Sequence, residues 1–175
     1  MDTKVTIPFL SDVIVQSLAP IELFATKINA LIGRSAARDI YDVHNLIVQK
    51  VFTTKEELAL LRKATVFYLT VGSSRNGNEA PTCYTEFPQI DKIRFPQIRS
   101  QLLPVLKRSE HFDLEQVKKE VKSFLSTLLV LTDAEKEYVK KFNHREYAPE
   151  LLFDDSDIVE RIKSHPMALW KTGQH

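Results

Sequence analysis

Two helical patterns separated by a very short link constrain this chain more than any other feature of its sequence. P-I-E-L-F-A-T-K-I-N-A-L-I, from Pro20 to Ile32, opens with proline at a natural helix start and ends at Gly33, a natural stop. Ser35 then offers an N-cap for a second helix, Ala36 to about Gln49. A link of this length makes the two helices antiparallel neighbours and brings residues flanking the turn close together.

Helical phase sorts the polar residues of this pair. On the first helix Glu22, Thr26, Asn29 and Gly33 fall on one narrow polar strip, whereas Lys27 lies between Leu23 and Leu31 with its stem across apolar surface. On the second, Ala36, Ile40, Val43 and Ile47 form the expected core stripe, opposite Arg38, Asp42, Asn45 and Gln49. Asp39 falls between Val43 and Leu46, at the edge of the packed face, while Asp42 is spaced to pair with Arg38. A lone charge in either apolar stripe is costly. Lys27 and Asp39 offset that cost if they meet across the hairpin or face one polar pocket. Geometry alone favours a structural ion pair over a catalytic one.

A helix bearing a lysine, then R-D-x-x-D after a short turn, resembles the third and fourth motifs of the AbiEii family of nucleotidyltransferase toxins, a branch of the polymerase-β-like nucleotidyltransferases. The matching residues are Lys27, then Arg38, Asp39 and Asp42 in R-D-I-Y-D. The resemblance covers Val13 to about Val48, and the later helical stretch only in general character. It implies a mixed catalytic half followed by a helical C-terminal half. Lys27 would contact the triphosphate of a bound NTP, and Asp39 would complete the active site by orienting Lys27 or the attacking group. Arg38 and Asp42 would support them from behind. The resemblance also implies Mg²⁺ and NTP for the intact enzyme, an antitoxin protein as a candidate partner and RNA as a candidate acceptor. A lysine is a compact point charge suited to phosphate, and phosphoryl chemistry depends chiefly on positioning and charge stabilisation.

The departure from the family is equally informative. Family members carry G-S followed about ten residues later by D-x-D, whose carboxylates hold Mg²⁺ against the triphosphate. No such motif precedes Lys27. Gly72-Ser73 lies downstream with no paired aspartates at the right distance, and Asp154, Asp155 and Asp157 read as helix caps and first-turn charges. No metal-ligand set is assigned, the five histidines being scattered without metal-ligand spacing. The expectation is the second part of an active site: residues 1–19 as a residual strand segment of a missing catalytic half, and 20–175 as a helical C-terminal domain that alone is inactive and binds neither Mg²⁺ nor NTP tightly. The alternative is a non-catalytic helical interaction module, a split or degenerate relative.

The rest of the sequence agrees with a mainly α fold, a helical bundle with one or two short N-terminal strands. Val13 to Ser17 is a β-rich run and Val5 to Phe9 a weaker one. Capping boxes at Thr54/Glu57 and Thr132/Glu135 start helices reaching about Val71 and Phe142. Residues 72–86 read as loop. Phe95-Pro96 opens a helix that Pro104 kinks or ends, Leu114 to Leu131 is amphipathic with Val117, Val121, Leu125 and Leu128 inward, and a short helix runs near Ser156 to Ser164. Phe87, Phe95, Phe124, Tyr138, Phe142, Tyr147 and Trp170 read as core and anchors, not as a base-stacking platform. The formal net charge of +1 gives no whole-chain case for nucleic-acid binding, and the Lys118-Lys119 and Lys140-Lys141 pairs read as solvated helix faces. One cysteine, Cys83, excludes an internal disulfide framework and suits a reducing compartment. With no bilayer-length apolar run and no signal-peptide pattern, a cytoplasmic location with no membrane partner is expected.

Overall fold

The computed structural model describes residues 2–5, 13–16, 19–73, 79–105 and 112–173. Among them the chain is mainly α. Strands β1 (Asp2–Val5) and β2 (Val13–Gln16) form one antiparallel pair, with Asp2 opposite Gln16 and Val5 opposite Val13. The β-rich run at Val13 is therefore a strand. Its partner lies earlier than the expected Val5–Phe9, of which residues 6–9 are outside the described residues.

Helix α1 (Pro20–Gly33) starts at its proline, and the Glu22 carboxylate accepts from the Ala19 N–H at 3.2 Å. Helix α2 (Ala37–Val48) begins one residue later than expected. Ser35 is not its cap, because its hydroxyl donates instead to Gln89 Oε1 at 3.1 Å. The buried stripe of α2 shifts accordingly to Ala37, Asp39, Ile40, Val43 and Leu46, leaving Ala36 and Ile47 half-buried. That shift carries Asp39 from the edge of the packed face into it.

The capping box of α3 (Lys55–Ser73) forms as its residues imply: Thr54 Oγ1 accepts from the Glu57 N–H at 3.1 Å, and Glu57 accepts from the Thr54 N–H at 3.1 Å. Leu61, Ala64, Thr65, Val66, Phe67, Leu69, Thr70 and Val71 are buried, more of the circumference than one amphipathic stripe covers. Helix α3 is thus a central helix, with α1 along one side. Gly72 permits their close approach, since a Cβ there would stand 2.8 Å from Asn29 Oδ1.

Short helices α4 (Pro88–Asp91) and α5 (Phe95–Gln97) follow, and α5 runs on into a π turn, Ile98–Leu102, and a 3₁₀ turn, Leu103–Val105, that contains Pro104. Helix α6 (Leu114–Leu128) is capped by Asp113 and buries Val117, Val121, Leu125 and Leu128 as its periodicity requires. Helix α7 (Asp133–Asn143) starts at the Thr132/Glu135 capping box. Glu135 is only 1% exposed and its two oxygens accept from Arg62 Nε at 2.9 and 3.0 Å, tying α7 to α3. Helix α8 (Ser156–Lys163) is capped by Asp155, so that aspartate serves the helix as its position implies. A further helix, α9 (Pro166–Thr172), is not among the expected elements, although Pro166 at its start and Gly173 at its end are the same signals that mark α1; its N-cap is His165.

Phe87, Tyr138 and Phe142 lie in the core and Phe124 and Tyr147 pack against it. Phe95 and Trp170 do not. Phe95 is 56% exposed because the following turn buries Ile98 and Leu102 instead, and α9 turns Trp170 outward by burying Ala168 and Thr172. No helix among the described residues is long and apolar enough to cross a membrane.

Candidate functional site

Helices α1 and α2 meet along a seam that carries two ion pairs. Lys27 Nζ lies 2.8 Å from Asp42 Oδ2. Seven residues further along α1's direction, Arg34 Nε donates to Asp39 Oδ2 at 2.7 Å and its Nη2 to Oδ1 at 3.1 Å, a bidentate fork on the carboxylate. Because the helices run antiparallel, a step of seven along α1 answers a step of three back along α2, and the pairs form two rungs of one ladder. The expected Lys27–Asp39 pair is therefore not the one made: Asp39, near the start of α2, lies beside the turn and takes Arg34, while Lys27, two turns back, reaches the next carboxylate down.

The rungs differ in environment. Asp39 is 2% exposed, whereas Arg34 is 67% exposed, so the guanidinium reaches inward from solvent to satisfy a buried charge. Its bonds to Asp39, and then the field of that carboxylate, raise the Arg34 pKa. Lys27 and Asp42 are both half-buried and keep access to water. Asp42 does not pair with Arg38, its expected partner; Arg38 is exposed and its Nε donates to the Gln101 carbonyl at 3.4 Å, joining α2 to the π turn. Beyond the ladder, His44 Nε2 and Glu120 Oε2 are 2.8 Å apart, which links α2 to α6.

Arg34 is not legible as a site residue in the sequence for a geometric reason. It is the C-cap of α1, with φ −148° and ψ 152°, so the helical projection that places Lys27 does not apply to it. The signal available was its position five residues before Asp39.

Asn29, Ile32, Gly33 and the ladder's own Arg34 line a cleft of about 790 Å³ with Tyr68 and His165. Asn29 is two residues from Lys27, about 200° around a helix, so this cleft opens away from the Lys27–Asp42 rung. Gly72-Ser73 stands at the C-terminal end of α3, where carbonyl groups disfavour phosphate. It is not placed to act as a phosphate-binding G-S.

The donor set does not fit Mg²⁺. Among the described residues no group of three or more His, Cys, Asp or Glu side chains could hold a metal ion, and Asp39 and Asp42 are each bonded to a cation. Asp154 pairs with Lys63 at 2.8 Å, which holds its carboxyl below the usual range.

Fold and site together define a mainly α protein whose first helical hairpin carries a lysine and an R-D-x-x-D motif on one seam. A family model described as nucleotidyl transferase AbiEii toxin, type IV TA system, matches residues 2–144, and the chain belongs to that family. The match takes in both strands, the whole ladder and the helices through α7. No curated protein and no solved structure matched the chain.

Proposed function

We propose that this chain supplies the lysine and R-D-x-x-D part of an NTP-dependent nucleotidyl-transfer site, completed by G-S and D-x-D residues from a catalytic half that precedes it. The observation that carries this reading is the Lys27–Asp42 rung. A half-buried lysine, fixed by a carboxylate yet open to water, has the chemistry and access that a triphosphate needs. Lys27 holds the phosphates, and Asp42 takes over from Asp39 the work of orienting it. Asp39 completes the site as the buried carboxylate that Arg34 grips with two bonds, and Arg38 braces α2 against the π turn. Mg²⁺ and NTP belong to the assembled enzyme, because the carboxylates here are already paired with cations. A type IV family implies an antitoxin as partner, and the single exposed Cys83 suits the reducing cytoplasm.

Incorporation of labelled NTP into RNA tests this. The chain alone should transfer nothing. Joined to a segment carrying the missing motifs it should transfer, and Lys27→Ala should lower that transfer at least about 100-fold, in line with removal of one charge-stabilising donor. Transfer by the purified chain alone, abolished by Lys27→Ala, would overturn the incomplete-site reading. Undiminished transfer by Lys27→Ala in the joined enzyme would overturn the lysine's role and leave the hairpin as a non-catalytic interaction module, a reading that the paired state of Asp39 and Asp42 favours.

A further inference from the structure

The charge of this chain is nearly balanced as a whole but not along its length. From Lys92 to Ser109 there are five basic residues and no acidic one. Three of the five, Lys92, Arg94 and Arg99, lie within the described residues, and all three are exposed. Among the described residues they form no ion pair, whereas nine other lysines and arginines do. Lys55 and Lys119, by contrast, stand directly beside acids in sequence, Glu56 and Glu120. The nearest acid in sequence, Asp91, is already bonded to Lys122.

The described part of this segment, residues 92–105, is tied to its neighbours by several bonds. Gln97 Nε2 donates to the Ser35 carbonyl at 3.1 Å, Ser35 Oγ donates to Gln89 Oε1, and Arg38 Nε reaches the Gln101 carbonyl. Ile98 and Leu102 anchor it in the core. These ties fix it against the same α1–α2 turn that presents Arg34 and Asp39. Between Arg94 and Pro96 the ring of Phe95 stands out, 56% exposed, and the π turn that follows is a rare backbone form often found at functional sites.

We propose that Arg38, Lys92, Arg94, Arg99 and Phe95 form a ridge that binds single-stranded nucleic acid, with the cations along its phosphates and Phe95 under one base. Unpaired exposed cations attract a polyanion, and an exposed ring on a fixed backbone provides the stacking surface that single strands use without regard to sequence. An acidic protein surface would also meet the cations, and competition by oligoglutamate distinguishes it from a single strand. The proposal deepens the reading above by assigning the surface that holds an acceptor strand, and it rests on that reading for the reaction but not for the binding.

Anisotropy of a labelled oligouridylate of about 12 nucleotides, titrated with the full chain without NTP or divalent ion, tests the ridge alone. Binding should weaken as salt rises. Arg94→Ala with Arg99→Ala should lower affinity tenfold or more and flatten the slope of log K against log salt by about 1.4, ~0.7 for each phosphate no longer neutralised. Phe95→Ala should cost at least about fivefold and leave that slope unchanged. Lys55→Ala with Lys140→Ala should bind as wild type. Arg94→Lys with Arg99→Lys should retain most of the binding, which guards against misfolding as the cause. Equal binding by wild type and the double alanine variant would overturn the proposal, as would equal competition by oligoglutamate, the mark of an acidic-protein surface. A joined enzyme inactive on RNA while the ridge still binds would strike the transfer reading and not this one.

Discussion

At the scale of single residues, the ladder separates a charge that holds the fold together from one that is free to work. Removing Arg34 leaves the Asp39 carboxylate buried with neither of its two guanidinium bonds. Arg34→Ala should therefore destabilise the protein by about 1–3 kcal/mol, the cost of stranding a buried polar group. The exposed guanidinium keeps this below the ~3–5 kcal/mol seen when a fully buried pair is broken. Lys27→Ala removes a half-exposed partner from a half-exposed carboxylate and should cost less than about 1 kcal/mol. Urea titrations of the two variants check the order, and a larger loss for Lys27→Ala would make Lys27 the structural member. The sequence showed that Lys27 and Asp39 sit within or beside apolar stripes, because helical phase fixes direction. It did not show which cation meets which carboxylate. That depends on how far one helix slides along the other and on Arg34, whose extended backbone lies outside any helical projection.

Elements were legible where local chemistry decides them and less so where packing does. The capping boxes at Thr54/Glu57 and Thr132/Glu135 form in place because each satisfies orphan donors by reach alone. Ser35 failed as a cap because a residue far along the chain, Gln89, claims its hydroxyl. Helix α9 carries the boundary signals of α1, Pro166 and Gly173, but spans only seven residues and has a histidine as N-cap, so neither helical periodicity nor a usual capping residue marks it. Gly72 shows the same contest within α3. Alanine there gains up to about 1 kcal/mol of helix propensity over glycine, but its Cβ would stand 2.8 Å from Asn29 Oδ1. Gly72→Ala should thus be neutral or destabilising in the natural sequence and stabilising by about 0.5–1 kcal/mol once Asn29→Ala has cleared the space. Thermal melts of the two singles and the double give the coupling; additive changes would mean that Asn29 does not limit the approach of α1 to α3.

Over the whole molecule, the response to acid follows from groups whose protonation the fold resists. Burial lowers the pKa of His165, whose Nδ1 accepts from the Ala168 N–H at 3.4 Å and whose ring packs edge-on against Phe67. Protonation would remove the acceptor that caps α9. A base with a depressed folded pKa contributes stability that is complete above its unfolded value, about 6.5, and is lost as pH falls through the folded one. Three carboxyls share that sign at lower pH. Glu57 is held down by the Thr54 and Thr53 amides and the Thr54 hydroxyl, Glu120 by Gln116 and His44, and Asp154 by Lys63. Their contributions are complete above about 4.3 and are lost as pH falls from there through the depressed folded values. Urea midpoints should accordingly fall in two stages, one opening just below pH 6.5 and one below about 4.3. Asparagine caps helices well without titrating, so His165→Asn should remove the difference belonging to the upper stage and leave the lower one in place. The amide signal of Ala168 should shift across the upper stage in the natural sequence. An unchanged upper stage in His165→Asn would assign it to another group and would leave α9 held by its packing alone.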